Sequence, residues 1–213
     1  MHIPDGFLTP ATYLPAWLAS AGFLTGFLKR LAGTLQDRAV PLMAVLAAFI
    51  FAAQMLNFPV YAGTSGHLLG GVLAAVLVGP YAGAVILSLV LAVQALVFQD
   101  GGLTALGANI FNMALAGAFL GYFIYAGLLR LLGPARRLWA AGAAAWFSVV
   151  LAAGLCGLQL AISGVAPLGL VLPAMLFIHL FIGLGEALIT VAILEAVLRV
   201  RPELVYQLEA ERP

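Results

Sequence analysis

Three histidines occur in the chain, His2, His67 and His179, and the first stands where the most chemistry is available. A histidine directly after a free N-terminal amine is a chelator. The amine of Met1, the backbone nitrogen of His2 and its Nδ1 can bind one metal together, closing two fused chelate rings. The backbone nitrogen must lose its proton, which requires a strongly polarising divalent ion. Ni(II) and Cu(II) do this best, and both favour flat nitrogen sites. Three nitrogens from one strand leave a corner open, and His67 can fill it through Nε2. Ile3 precedes Pro4 and is biased toward extended backbone. Asp5-Gly6 then favours a turn. A stiff strand ending in a turn can push the amino terminus back into the protein. A frayed end carrying an incidental histidine is the plainer reading of the same residues.

Other polar residues stand in strongly apolar surroundings. Glu186 follows His179 by seven residues, so the two share a helical face. A carboxylate inside a membrane span costs about 2.5–3.5 kcal/mol and by default marks function. A cap on hydrogen bonding between helices near Gly183 and Gly185 would serve equally well. Gln54 and Asn57 lie three apart, as do Asn109 and Asn112, so each pair can face inward together. Gln94 and Gln159 are further candidates. Such amides usually join helices, but some can hydrogen-bond a metal-bound strand, as outer-shell groups do. The chain has no GxxxxGK[ST], HExxH or GxSxG, no aspartate pair spaced for an intramembrane protease and no regular arginine repeat. If transport is active, its energy comes from a partner or an ion gradient.

The elements that must hold these residues follow from composition. Of 213 residues, 64% are hydrophobic and 8% charged, and the net charge is +1. A water-soluble globule of this size cannot hide so much apolar surface. A basic face for nucleic acid is excluded. The single cysteine, Cys156, excludes an internal disulfide and a cysteine-rich zinc site. Between Arg38 and Asp100 lie 61 residues without a charge, and between Arg137 and Glu186 lie 48. A helix needs about 20 apolar residues to cross a bilayer, so each run crosses more than once. The expected spans are Thr12–Leu28, Val40–Met55, Leu68–Val78, Tyr81–Phe98, Gly107–Leu132, Leu138–Ser163 and Leu170–Leu198. Breakers fall between them at Phe58-Pro59, Gly79-Pro80, Asp100-Gly101-Gly102, Gly133-Pro134 and around Pro167.

Leu68–Phe98 reads either as one long helix or as a hairpin turning at Gly79-Pro80. The basic residues decide. All nine fall in three clusters: Lys29, Arg30 and Arg38; Arg130, Arg136 and Arg137; Arg199, Arg201 and Arg212. The segments 1–12, 57–67, 99–106 and 164–169 contain none. Only the hairpin puts all three clusters on the cytoplasmic side. The expectation is therefore an all-α, polytopic membrane helical bundle of seven transmembrane helices, N-terminus outside and C-terminus cytoplasmic. It forms a single domain over 1–213: a chelating segment 1–11 inserted into a bundle 12–198, and a tail 199–213. His67 then lies about 18 Å along the helix axis from Gly79, at membrane depth. Residues 1–6 lack the basic n-region of a signal peptide, so the mature chain is expected to begin at Met1, with the bulky His2 protecting the initiator. Gly22 and Gly26, Gly117 and Gly121, and Ala140, Ala144 and Ser148 form small-residue faces, suited to internal packing or to docking another membrane subunit.

The opening Met1-His2-Ile3-Pro4-Asp5-Gly6-Phe7-Leu8 resembles the N-terminus of the NikM/CbiM family, the substrate-binding subunits of energy-coupling-factor transporters for nickel and cobalt. The likeness extends over the whole chain, through His67 in a polar loop before a short span and Glu186 in the last one. The resemblance implies that Met1 supplies its amine, His2 its backbone nitrogen and Nδ1, and His67 its Nε2. It implies Ni(II) or Co(II) as transported substrate, with no permanent cofactor and no catalytic activity in this chain. The implied partners are a transmembrane coupling subunit, two cytoplasmic ATPase subunits and a small auxiliary membrane subunit, in a bacterial or archaeal cell membrane. The cobalt branch often has Met-Glu where this chain has Pro4-Asp5, which leans toward nickel. Two rival readings remain: a vitamin-binding subunit using Trp146, Phe147 and Tyr122, and a membrane enzyme using His179 and Glu186 as acid and base.

Overall fold

The computed structural model describes residues 1–35, 39–60 and 65–206. Arg38 and Arg212, and the end of the expected tail at 207–213, lie outside the described residues. The described chain is a bundle of helices: α1 (Pro10–Ala32), α2 (Ala39–Gln54), α3 (Gly71–Val78), α4 (Pro80–Phe98), α5 (Leu106–Leu132), α6 (Pro134–Ile162) and α7 (Leu168–Val200). Helices α4, α5, α6 and α7 are long and apolar enough to cross a membrane, and α2 is a shorter apolar helix. The chain is thus an all-α membrane helical bundle, and each helix overlaps one of the expected spans.

The turn between α3 and α4 is a hairpin. Gly79 has φ +89°, outside the range of helical backbone. Gly83 lies so close to Ala75 that a Cβ on it would stand 2.8 Å from the Ala75 Cα. Eight residues apart on one straight helix, these positions would be separated by about 12 Å. Helix α3 is the hub of the bundle, with Gly71 to Leu77 all buried. Gly117 on α5 packs against Leu69, and Gly121 against Val72 and Ser148. Ala140, Ala144 and Ser148 are fully buried as well. These small faces serve internal packing, whereas Gly22 and Gly26 on α1 meet nothing within 4 Å.

Two expectations need correction. Helix α3 begins at Gly71 rather than Leu68, because Glu186 takes up the backbone amides of Leu69 and Gly70. The helical rise from Gly79 to Gly71 is then about 12 Å, and His67 sits in the loop beyond it. The segment before His67 also contains a small antiparallel ladder, β1 (Phe58–Pro59) against β2 (Ser65–Gly66), with Phe58 opposite Gly66 and Pro59 opposite Ser65. Residues this few carry no period that a sequence pattern could reveal.

Two basic residues from distant parts of the chain meet at one end. Arg30 and Arg201 share a groove with Gly79 and Tyr206, and the Tyr206 ring packs on that of Tyr122, one turn from Tyr125. At the opposite end the first nine residues touch Ser65, Asp100 and Ser163, the last at the end of α6.

The α3–α4 hairpin generates a stability test. Gly83→Val forces a side chain into the Ala75 backbone and should cost about 1–3 kcal/mol, read as a lower unfolding midpoint in detergent. Gly22→Val, which meets nothing, should leave the midpoint unchanged.

Candidate metal centre

The first residues run into the bundle as an extended strand. Met1 and Ile3 are fully buried and His2 is 3% exposed. Asn109 on α5 grips Ile3 on both sides: its Oδ1 accepts from the Ile3 amide at 2.9 Å, and its Nδ2 donates to the Ile3 carbonyl at 3.2 Å. The Gly102 amide donates to the same carbonyl at 2.8 Å. A Cβ on Gly102 would stand 2.2 Å from the Asp5 nitrogen, so only glycine permits this approach. Asp5 closes the strap. Its carboxylate accepts from the amides of Leu103 at 3.0 Å and Thr104 at 2.7 Å, and from the Thr104 hydroxyl. The Thr104 hydroxyl first, with these amides, holds the Asp5 carboxyl below its ordinary range. At the far end of the strap the Thr9 amide donates to Ser163 Oγ at 3.2 Å.

The N-terminal amine donates to the Ser65 carbonyl, with Ser65 Oγ at 3.2 Å. The Met1 carbonyl faces Cys156 Sγ at 3.7 Å. The His2 and His67 rings are stacked, their centroids 4.5 Å apart and their planes 23° from parallel. His2 Nδ1 meets Asp100 Oδ1 at 2.9 Å. His67 Nδ1 donates to the Leu68 carbonyl at 2.7 Å, which leaves the lone pair on Nε2. The Nε2 atoms of His2 and His67 are buried and have no partner among the described residues. The backbone nitrogen of His2 also makes no hydrogen bond among the described residues. Buried polar groups are normally satisfied, so this cluster of spare nitrogen sites points to a cation. No three His, Cys, Asp or Glu side chains among the described residues can hold a metal by themselves. A metal here needs the amine and the backbone as well.

The loop carrying His67 is positioned from two sides. Glu186 on α7 accepts from Leu69 at 2.8 Å and Gly70 at 2.6 Å, a carboxylate on the N-terminal amides of α3. Gln54, the last residue of α2, donates to the Leu69 carbonyl at 3.0 Å. His179 is fully buried on the face it shares with Glu186. Its Nδ1 donates to Met175 at 2.7 Å, and its Nε2 would stand 3.5 Å from a Cβ on Gly66. His179 and Glu186 each serve a different backbone segment and do not bond to each other, so they form no acid–base pair.

The remaining amides divide. Asn112 and Gln159 exchange two hydrogen bonds, at 2.7 and 2.9 Å, and so join α5 to α6. Gln94 is fully buried, with neither polar atom partnered among the described residues. Asn57 corrects an expectation: α2 ends at Gln54, so Asn57 leaves the helical face and is exposed on the wall of an outer cavity. The aromatics proposed for a vitamin do not converge. Trp146 donates to the Leu180 carbonyl, Phe147 is 48% exposed, and Tyr122 packs with Tyr125 and Tyr206. Sequence reasoning missed Ser65 and Asp100. Asp100 carried a signal, being the one acidic residue between Asp37 and Glu186.

The Asp5 strap yields a pH prediction. Its folded pKa is depressed, so its stabilisation is present above the ordinary value of 3.8 and is lost only as pH falls through the lower folded value. Amide exchange at Ile3, Leu103 and Thr104 should stay slow from pH 8 to pH 5, apart from intrinsic rates. Asp5→Ala should make it faster throughout that range.

Comparison with known proteins identifies the family. The family described as "cobalt uptake substrate-specific transmembrane region" matches residues 2–204. A protein of Archaeoglobus fulgidus, provisionally named fused nickel transport protein NikMN, is 42% identical over 97% of this chain and 68% of its own length. One of Haloquadratum walsbyi, provisionally named metal transport protein, is 38% identical over 97% of this chain and 94% of its own. A crystal structure described as a truncated transition metal transporter is 35% identical, with a TM-score of 0.87 over 93% of this chain and 99% of that one. With the family match spanning nearly the whole sequence and the fold shared at that identity, the chain belongs to the family of cobalt uptake substrate-specific transmembrane regions.

Proposed function

We propose that this chain is the ion-capturing membrane subunit of a nickel or cobalt uptake transporter, and that it binds the bare ion through four nitrogens. The observation that carries this reading is the buried N-terminal amine, beside the stacked rings of His2 and His67. The Met1 amine, the His2 backbone nitrogen, His2 Nδ1 and His67 Nε2 are the ligands. To bring Nδ1 to the ion, the His2 ring leaves Asp100, moves its proton from Nδ1 to Nε2 and turns about its Cβ–Cγ bond. The names of the relatives, nickel for one and cobalt for the family, support the same class of cargo. Pro4-Asp5 favours nickel.

A flat site of this kind selects by geometry. Zn(II) prefers tetrahedral ligands and Mg(II) an octahedron of oxygens. Seven crossings, with the N-terminus outside and the basic end cytoplasmic, are supported by the meeting of Arg30 and Arg201 beside Gly79. The short α3 is then an interior half-span rather than a lipid-facing helix. The chain has no nucleotide-binding motif, so ATP-driven uptake belongs to partners: a transmembrane coupling subunit, two cytoplasmic ATPases and a small auxiliary membrane subunit. The exposed Gly22–Gly26 face of α1 is available for such an assembly.

The test is Ni(II) and Co(II) binding by the purified chain, with its N-terminus verified by mass. One residue added ahead of Met1, or His67→Ala, should weaken binding by at least about a hundredfold, the upper end of what outer-shell changes cost. Binding that survives both changes contradicts the ligand set. Affinity should fall from pH 8 to pH 5, because amine, amide and imidazoles must all shed protons to bind. The strap stays ionised over that range, so its release is not the cause of the loss.

A further inference from the structure

Between the bundle and its outer surface, next to the spare nitrogens, lies a cavity of about 690 Å³ lined by His2, Asn57, Ser65, Gln99, Asp100 and Gly101 among others. Asn57 and Gln99 are exposed, so the cavity opens to the surface. His2 also faces it, with its side chain 2% exposed and its Nε2 unpartnered. Asp5 lies on the same wall, but both its oxygens are occupied by Leu103 and Thr104. Asp100 is different. Its Oδ1 accepts from His2 Nδ1, while its Oδ2 is buried and has no partner among the described residues, and the side chain as a whole is 20% exposed. Its backbone is fixed: the Asp100 amide donates to the Gln94 carbonyl at 3.0 Å, and Gln99 before it is held at φ +55°. No lysine or arginine lines this cavity.

A hydrated divalent ion cannot enter the four-nitrogen site in one step. It must shed its water, and the His2 ring must be released from Asp100. A carboxylate oxygen is a natural first ligand for an ion still carrying water, and Asp100 offers one beside the group that must move. We propose that Asp100 is the capture ligand: its partly exposed carboxylate turns to take the hydrated Ni(II) or Co(II) in the outer cavity, and the ion's charge on it frees the His2 ring, whose Nδ1 proton passes to Nε2 so that Nδ1 can turn and bind. The ion then passes inward to the nitrogens, and Asp100 is not among its final ligands. This rests on the four-nitrogen reading above and adds the route by which that site fills.

The test is stopped-flow association of NiCl2 with the full chain in detergent, at several ionic strengths. Asp100→Asn keeps an oxygen for His2 Nδ1 but removes the charge. It should slow association about tenfold at low salt, the lower end of electrostatic steering, and flatten the salt dependence. The absorption spectrum of the loaded protein should not change, and Asp100→Glu should recover most of the rate. An unaltered rate and salt dependence in Asp100→Asn overturns the proposal, as does a wild-type rate indifferent to salt. A changed final spectrum also overturns it, by making Asp100 a permanent ligand. Failure of the nitrogen site would appear separately, as Ni(II) binding that survives His67→Ala.

Discussion

A chain end carried into an apolar interior must find a partner for each polar group it brings, at about 1–3 kcal/mol for each one left unmet. Here the amine finds Ser65, Ile3 finds Asn109 and Gly102, and Asp5 finds the start of α5. The buried atoms left unpartnered among the described residues include the Nε2 nitrogens of His2 and His67. The bundle satisfies the strand that delivers the site and leaves His67 Nε2 open to a cation, while the amine and His2 Nδ1 must exchange Ser65 and Asp100 for it. The rest of the architecture follows from that division.

Two long-range anchors make the division possible. Glu186 on the last helix reaches the amides before α3, and so fixes the loop that carries His67. Asn109 on α5 fixes the strand that carries His2. The two histidines come from segments 65 positions apart, and their stacking depends on both anchors. A buried carboxylate is tolerable in this setting because two backbone amides donate to it at the N-terminus of a helix. Glu186 therefore acts by holding a loop in place rather than by touching an ion.

Much of this was legible in the sequence, for identifiable reasons. Long charge-free runs delimit the helices, because a bilayer excludes charge. Gly79-Pro80 and the placement of arginines distinguish the hairpin from one long helix. His2 next to the amine and the stiff Ile3-Pro4 pair point to a chelating end, through covalent chemistry and backbone sterics alone. The tertiary partners were not legible. Nothing local tells that Glu186 will cap α3, that Asn109 will clamp Ile3, or that Asp100 will hold the His2 ring. Gln54 and Asn57 could face inward together only if the helix ran on to Asn57, and α2 ends at Gln54, ahead of the Phe58-Pro59 breaker. The Asp100-Gly101-Gly102 turn showed its shape but hid its charge, since a turn signal accounts for an aspartate without giving it a role.

The central claim is that the amine of Met1 is bonded to the ion. Incorporating 15N-methionine and loading the chain with Cu(II), a planar probe with unpaired spin, allows the hyperfine coupling of that nitrogen to be read by electron–nuclear double resonance. A strong coupling from a directly bonded 15N is the predicted result. A spectrum showing imidazole nitrogens but no strongly coupled 15N would contradict the account.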